Sequence, residues 1–531
     1  MRHHGIAWQD GERRVQRWID DWIDGDPSMR SELLHENPRR VLHRLETEKE
    51  LSLDARGNPA IRAVLVKTHR THSGAHRQRE SIKRRIGYSP ALREWQALCE
   101  LHAAAARVPV PEPLAWGILA NGDPLLVTEY FAGRSLSSVL EESSLSEQMR
   151  WVDRLAQSVE RLHETGFRHG DLHLGNLHVR EDQVMILDLQ RARRARNRHE
   201  RLRDLAQLDF SIARLGFALD LRRRLRSRLG DPPGLDAAAR HFVRDFVRGR
   251  SRREFRIGRA WERWLATSRA SGIRFSGLRD ARTAQSTLDQ ALEMARSDPR
   301  EGNRRGRQTR VASYEIESRP FVIKRTATTS RRARLRNILS GSRARRSFRR
   351  GQRLALLGTI GARPLASIEE SRTGAPALSW LILESVGRCD LDQYQPASQE
   401  DAECCGIALA RWIAEWHAWG IDHRDLKASN IRIDKDRDGF RFWLIDLEDI
   451  RFRRSVGDEA RLRSLVQLNA SLDDDVFSLE TRKAALDAYL TRLPFGRRNA
   501  RKLIESIPAR SVARRHRWQG RGCGAAESSR L

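Results

Sequence analysis

The sequence predicts an α+β protein made of two tandem copies of one domain, each a small antiparallel-sheet N-lobe followed by a mostly helical C-lobe. Three observations predict it. The segment HGDLHLGN, His169 to Asn176, recurs as HRDLKASN, His423 to Asn430. Landmarks around it keep nearly one offset: Lys67 to Lys324 is 257 residues, Asp171 to Asp425 is 254, Asp188 to Asp446 is 258, and Arg201 to Arg461 is 260. Within each copy, short β-patterned runs precede stretches with apolar residues three and four apart. A period this long marks duplicated domains rather than a solenoid, whose repeats run to about 20–50 residues.

Residues 1–40 read as a helical N-terminal extension, with Trp18, Trp22 and Ile23 on one apolar stripe. The first copy is assigned to 41–295, the polar Pro/Gly-containing stretch RSDPREGNRRGRQ at 296–308 is the linker, and the second copy covers 309–510. The basic tail 511–531 has no sustained periodicity and reads as loose. Each copy starts with a β-patterned run around a lysine, RAVLVKTH with Lys67 and RPFVIKRT with Lys324. A helical stretch and a short strand follow, PLLVTEY in one copy and LSWLILES in the other. Next comes a helix closed by glycine: Trp151, Leu155, Val159 and Leu162 before Gly166, and Leu409, Ile413 and Trp416 before Gly420. The repeated loop leads into an apolar run ending on aspartate, VMILDL with Asp188 and FWLIDL with Asp446. RLRDLAQL (Arg201–Leu208) and RLRSLVQL (Arg461–Leu468) then match each other.

Composition bounds the rest. A chain of 531 residues with 39% hydrophobic residues, 14 Trp and 15 Phe has ample core for several domains, which excludes wholesale disorder. No apolar run approaches the roughly 18–20 residues of a membrane-spanning helix, and the polar start MRHHGIAWQDGERR is not a secretory signal. Five cysteines (Cys99, Cys389, Cys404, Cys405, Cys523) without a CxxC pair argue against a disulfide framework or a zinc site. The expectation is a soluble, cytoplasmic protein. The net charge of +29 favours anionic partners, namely nucleic acid, phosphorylated glycan or acidic lipid. An arginine-rich surface without a dedicated partner accounts for it equally well.

The order lysine strand, HxDLxxxN loop and strand-end aspartate is that of bilobal phosphotransferases. The chemistry needs few groups. A lysine holds ATP phosphates, one aspartate orients the attacking hydroxyl, and an asparagine and a second aspartate hold Mg²⁺ against the phosphates. The bland alternative makes Asp171 and Asp425 loop caps and Asp188 and Asp446 strand-end turn residues. Finding the spacing twice weighs against it.

At these residues the chain resembles the protein-kinase-like superfamily, and more narrowly the bacterial lipopolysaccharide kinase family, which phosphorylates Kdo or heptose sugars of the inner core. The narrower likeness rests on short N-terminal lobes, the Arg-rich SRARRSFRRGQRLALLG (Ser342–Gly358) and the paired RLRxLxQL segments. HGDLHLGN also resembles the loop of small-molecule phosphotransferases, whereas HRDLKASN is closer to the protein-kinase form. The resemblance covers roughly 40–500 and implies two protein-kinase-like domains using ATP and Mg²⁺. It makes Asp171 and Asp425 the catalytic bases, Asn176 with Asp188 and Asn430 with Asp446 the metal ligands, and Lys67 and Lys324 the phosphate-binding lysines. Glu94, in ALREWQAL, becomes the helix carboxylate paired with Lys67, against the alternative of an exposed helix-surface glutamate. Lys427 becomes the loop lysine reaching the transferred phosphate, where the first copy has His173.

Departures are equally informative. Neither lysine is preceded by GxGxxG; ARGNPA (Ala55–Ala60) and GNRRGRQ (Gly302–Gln308) are the candidate phosphate-covering turns. No acidic residue lies between Lys324 and Glu369, so Lys324 lacks a local helix carboxylate. The metal aspartates sit in DLQ and DLE rather than DFG, so phenylalanine-based switching is not expected. Arg325–Arg353 holds eleven arginines and no acid, and Arg77, Arg79, Lys83, Arg84 and Arg85 echo it around Glu80. Guanidinium forks suit phosphate, so this stretch reads as a docking surface for phosphorylated saccharide or anionic membrane, with a solvated basic face as the alternative. The leading expectation is a sugar kinase acting on lipopolysaccharide core at the inner face of the cytoplasmic membrane. Behind it stand a protein or small-molecule kinase, a protein with one or both copies non-catalytic, and lastly a nucleic-acid binder, for which no base-reading motif exists.

Overall fold

The computed structural model describes residues 6–26, 30–37, 40–51, 61–70, 89–214, 219–249, 273–277, 293, 309–316, 319–358, 361–371, 376–436, 439–496 and 500–514. The chain divides into two compact units, 1–238 and 239–531. The expected linker 296–308 lies outside the described residues, as do the first copy's basic cluster (Arg77 to Arg85) and the tail from 515.

The first unit opens with a six-stranded antiparallel sheet in the order β1-β5-β6-β4-β3-β2. Its strands are β1 (Ile6–Gly11), β2 (Arg30–Asn37), β3 (Arg40–Leu51), β4 (Ile61–His69), β5 (Pro113–Leu119) and β6 (Pro124–Glu129). Residues 1–40 are therefore not a helical extension alone. Helix α1 (Arg13–Ile23) lies between β1 and β2, the two edges of that sheet. Val15, Trp18 and Ile19 of α1 pack on Leu45, Val64, Val66, Leu125 and Val127 of the sheet, with Trp22 and Ile23 at the margin. The expected stripe is real, but its partner is the sheet beside it. β2 escaped the reading because it is exposed on both faces and shows no alternation. Since side chains alternate along β4, burying Val64 and Val66 against α1 sends Lys67 to the opposite face. There it meets α2 (Pro90–His102), started by the Ser89 side chain accepting the Leu92 amide and by Pro90 in the first turn.

The remainder of the first unit is helical: α3 (Leu136–Glu142), α4 (Leu145–Glu164), α5 (Arg198–Arg214) and α6 (Leu219–Arg228), and a further helix over 235–249 runs across the boundary at 238. Short strands frame the repeated loop: β7 (Arg134–Ser135), β8 (Phe167–Arg168), β9 (Leu177–Arg180), β10 (Gln183–Ile186) and β11 (Arg193–Arg194). Gly166 ends the turn after α4 at φ +86°, a left-handed conformation that suits glycine.

The second unit repeats the plan. Its sheet, β12-β15-β16-β14-β13, comprises β12 (Ile273–Gly277), β13 (Thr309–Ile316), β14 (Arg319–Ala327), β15 (Pro364–Ser371) and β16 (Pro376–Glu384). β12 pairs with β15 as β1 pairs with β5, both antiparallel. The first copy accordingly does not extend to 295. Residues 273–277 belong to the second sheet, a pairing fixed by partners about ninety residues ahead and invisible in five residues of local pattern. Helices α7 (Arg331–Ser340), α8 (Arg343–Ala355), α9 (Gln399–Ala418), α10 (Asp458–Asn469), α11 (Leu479–Arg492) and α12 (Ala500–Ala513) complete it. Strands β17 (Cys389–Asp390), β18 (Ile421–His423), β19 (Ile431–Asp436), β20 (Gly439–Leu444) and β21 (Ile450–Phe452) frame its loop. Gly420 has φ +84°, and a Cβ there would come within 2.4 Å of the Arg453 carbonyl oxygen.

Helices α2 and α8 correspond residue by residue. Ser89, Ala91, Trp95, Leu98 and Leu101 match Ser342, Ala344, Phe348, Gly351 and Leu354 in capping role or burial, at one constant offset. The position of Glu94 is then filled by Ser347, which is also buried.

Buried polar groups tie the helical lobes. His417 on α9 shares a hydrogen bond of 2.8 Å with the Tyr489 hydroxyl on α11, which accepts from Arg461 Nε at 3.0 Å. Burial, reinforced by Arg461 and Arg463, pushes the His417 imidazole down to about 3 from an ordinary 6.5. A neutral buried histidine stabilises above its unfolded value, and that contribution is lost as the unfolded chain takes up the proton on acidification. The second unit is expected to lose about 1.4 kcal/mol of stability per pH unit from this group between pH 6.5 and about 3. Denaturant melts of the parent and of His417→Asn across that window check it, the variant giving the shallower slope.

Candidate active site

In the first unit, β8 delivers His169, Gly170 and Asp171, a single 3₁₀ turn (Leu174–Asn176) follows, and β9 and β10 lead to Asp188. Buried His169 donates from Nε2 to the Leu187 carbonyl oxygen (3.0 Å) and accepts the Asp171 amide at Nδ1 (3.2 Å). Asn176 donates from Nδ2 to the Asp171 carbonyl oxygen (2.9 Å), and the Leu187 amide bonds the Asn176 carbonyl oxygen (2.8 Å). These bonds hold the loop and the strand end side by side. In the second unit His423 Nε2 reaches the Asp446 carbonyl oxygen (2.8 Å), Asn430 Nδ2 the Asp425 carbonyl oxygen (2.8 Å), and the Ile445 amide the Asn430 carbonyl oxygen (3.1 Å). The skeleton is repeated, with one shift at the aspartate. Asp188 is left-handed (φ 60°, ψ 62°), whereas Asp446 lies at φ −98°, ψ 84°.

Helix α5 supplies anchors whose role the sequence did not announce. Asp204 accepts the amides of His169 (2.6 Å) and Gly170 (2.8 Å), Gln207 Nε2 donates to Asp171 Oδ1 (2.6 Å), and Ser211 accepts the Leu174 amide (3.2 Å). On α10, Ser464 donates to the His423 carbonyl oxygen (3.3 Å) and Gln467 accepts the Leu426 amide (3.3 Å), and just beyond the helix Ser471 accepts the Ala428 amide (2.8 Å). The matching RLRxLxQL segments carry the first two positions of each set, so the signal was present without a role.

The lysines divide the units. Lys67, opposite Leu42 and Leu126 in register, is buried and donates to Glu94 Oε1 at 2.7 Å, with Asp188 Oδ1 at 3.8 Å. Glu94 is buried, not a surface glutamate. Burial raises its carboxyl above the ordinary range while Lys67 pulls it back. Burial opposes ionisation of Asp188 too, but Lys67 and Arg40 outweigh it and hold that carboxyl low. Arg40 was not anticipated. It opens β3 and touches Asp188 Oδ2 at 3.2 Å. Its own amide bonds Asn37 Oδ1 at 2.9 Å, and its pairing with His69 puts Arg40 at the same end of the sheet as Lys67. The candidate covering turn ARGNPA lies outside the described residues. GNRRGRQ also lies outside the described residues.

Lys324, opposite Val311 and Leu381, holds the equivalent register and donates to Asp446 Oδ1 at 2.8 Å. Its missing helix partner is thus replaced by the strand-end aspartate. Glu369, the nearest acid downstream, instead accepts the Ser342 amide at the start of α8 (2.6 Å). Burial opposes ionisation of Asp446, but Lys324 and Arg343 keep its carboxyl below the usual range. Lys427 Nζ lies 3.0 Å from Asp425 Oδ2. In the first unit the cation beside the loop aspartate is Arg191, 3.3 Å from Asp171 Oδ2.

The residues fit a magnesium nucleotide. In the second unit a cleft of about 540 Å³ is lined by Lys324, Asn430 and Asp446 together with Val322, Leu383 and Ser385. In the first, Asp188 Oδ1 is buried without a hydrogen-bond donor. Carboxylate and amide oxygens are the hard donors magnesium takes, through one or two protein ligands. Asp171 and Asp425 flank those groups from the loop and can each accept a hydroxyl proton.

Each unit is thus a protein-kinase-like domain: a lysine on a central strand of the N-lobe sheet, facing a loop aspartate, an asparagine and a strand-end aspartate. The lipopolysaccharide kinase (Kdo/WaaP) family model matches residues 34–226 and again 290–504, and the chain belongs to that family. It is also similar to the KEOPS complex subunit Bud32 of Pyrococcus abyssi (strain GE5 / Orsay), 29% identical over 100 residues, which are 19% of this chain and 39% of that protein. The chain thus spans well under half the length of that relative. Among solved structures, WaaP in complex with acyl carrier protein is 19% identical, covering 40% of this chain and 86% of that one with a TM-score of 0.29.

The asymmetry between the units is measurable. Glu94→Ala leaves a buried ammonium with its partner removed and is expected to cost the first unit about 3–5 kcal/mol. Ser347→Ala removes a buried hydroxyl but no charge partner and is expected to cost about 1 kcal/mol or less. Chemical denaturation of the two variants compares them directly; equal losses contradict the assignment.

Proposed function

We propose that the chain transfers the γ-phosphoryl group of ATP to a sugar hydroxyl of the lipopolysaccharide inner core, Kdo or heptose, with Mg²⁺, at the inner face of the cytoplasmic membrane. The observation that carries the reading is the Lys67–Glu94 pair of 2.7 Å beside Asp188, with Asn176 and Asp171 held on the adjoining loop. Lys67, fixed by Glu94, would bind the nucleotide phosphates as a localised positive charge. Asn176 and Asp188 would hold Mg²⁺, which when bound neutralises phosphate charge against the incoming nucleophile. Asp171, oriented by Gln207 at 2.6 Å, would accept the hydroxyl proton and aim the oxygen in line. Arg191, 3.3 Å from that carboxylate and largely exposed, is suited to meet an anionic group on the acceptor.

A second reading concerns the second unit. Ser347 at the place of Glu94, with Lys324 bonded to Asp446, favours a domain that binds nucleotide and supports the first rather than one that turns over equally. Asp425 with Lys427 3.0 Å away supports turnover in the second unit instead, and the single variants below distinguish the two readings.

Asp171→Asn is expected to lower transfer by about 10²-fold or more, the contribution of a positioned general base. Asp425→Asn is expected to keep most activity, and the double variant none. The assay incubates each protein with labelled ATP and a panel of deacylated core oligosaccharides and locates the added phosphate. Full activity in the double variant would falsify the reading, and transfer to peptides alone would redirect it to protein substrates.

A further inference from the structure

The segment between the strand carrying Lys324 and helix α8 is itself a helix, α7, and its outward side is apolar. Leu335, Ile338 and Leu339 are 60%, 60% and 79% exposed. Their spacing of three and four places them on one stripe. Arg331 and Arg332 extend that stripe one turn earlier, and Arg334 and Arg336 border it; all four are exposed. The orientation is fixed from the other side. Asn337, the buried residue of α7, donates from Nδ2 to Thr328 Oγ1 (2.9 Å) and accepts from Arg346 at Oδ1 (3.2 Å). Ser330 caps the first turn by accepting the Ala333 amide, and Gly341 at φ +80° ends the helix. The helix is therefore pinned with three large aliphatic side chains held in water, an arrangement that marks an interaction surface.

We propose that α7 is a membrane-contact element that inserts Leu335, Ile338 and Leu339 among the headgroups of an anionic bilayer, with Arg331, Arg332, Arg334 and Arg336 on lipid phosphates. Charge selects this occupant. No acidic residue occurs from Arg325 to Ile368, so the helix and the chain on either side of it carry charge of one sign. Pairing with a second copy would bring the same guanidiniums together, and a nucleic acid would leave the aliphatic stripe unused. A bilayer answers both features, because arginine stems cover apolar surface while their heads stay at the interface. Each basic residue near an anionic leaflet adds to the attraction, and the aliphatic contacts keep the helix from being displaced by salt alone. Contact through α7 would bring the lobe that holds Lys324 to the headgroup layer, where a glycolipid acceptor presents its sugars. The surface stands on its own side chains and does not rest on the sugar-kinase reading.

Flotation of the full chain with phosphatidylcholine vesicles, with and without phosphatidylglycerol, tests it. The parent is expected to float with the phosphatidylglycerol vesicles only. The combined Leu335→Ser, Ile338→Ser and Leu339→Ser variant, altered only at exposed positions and melting like the parent, is expected to bind more than about tenfold more weakly. Each Arg→Gln change among Arg331, Arg332, Arg334 and Arg336 should weaken binding about fivefold. Four results would overturn the assignment: no flotation of the parent, equal flotation without phosphatidylglycerol, a serine variant that floats like the parent, or a serine variant that changes oligomeric state alone. Loss of phosphotransfer in Asp171→Asn with flotation intact keeps this test separate from that of the activity.

Discussion

A lysine placed on the central strand of a small sheet, between apolar neighbours, needs a carboxylate close by to offset the cost of burying its charge. Which carboxylate answers it decides what the rest of each unit can do. In the first unit α2 brings Glu94 to 2.7 Å, leaving Asp188 at 3.8 Å with one oxygen free of donors. In the second, α8 brings Ser347 instead, and Lys324 closes on Asp446 at 2.8 Å. The same charge balance is struck in both, but only the first leaves its strand-end aspartate out of a direct lysine hydrogen bond.

Around this difference the duplicated scaffold is kept, often by changed chemistry. Asp209 and Arg222 form a buried pair at 2.7 Å in the first unit. The equivalent α10 and α11 positions are Asn469 and Arg482, bonded at 2.8 Å, with Asp474 supplying the missing charge at 2.7 Å. Asp204, which accepts two loop amides, becomes Ser464, which donates to a loop carbonyl. The first exchange keeps two helices joined and the second keeps the loop attached to the helix beneath it, while each alters where charge sits. Drift of this kind is tolerated where the backbone bond pattern survives, because the cost of a buried polar group depends on its having a partner rather than on which one.

Much of this was legible in the residues. The paired loops, the lysines and the strand-end aspartates are local strings, and the helix stripes before Gly166 and Gly420 follow simple periodicity. Glu94 was found because the kinase-like resemblance implies a helix carboxylate paired with the strand lysine. What escaped was non-local. β1 and β12 become strands only by pairing with β5 and β15, and Arg40 reaches Asp188 across 148 residues of sequence. The partner of Lys324 was hidden for the same reason: a search for a neighbouring helix acid cannot see that the aspartate at the end of β20 lies beside it. The outward aliphatic face of α7 was also concealed, since a sequence shows an arginine run but not which side of the helix Asn337 holds down.

The central claim is that Lys67, Asn176 and Asp188 assemble around a divalent cation and nucleotide phosphates in the first unit. Its most direct measurement is a crystal of the full chain grown with Mn²⁺ and a non-hydrolysable ATP analogue, read by anomalous scattering. The account predicts a manganese peak ligated by Asp188 and Asn176, with Lys67 still paired to Glu94 and touching phosphate. Nucleotide bound with no metal peak there, or bound away from Lys67, would contradict it.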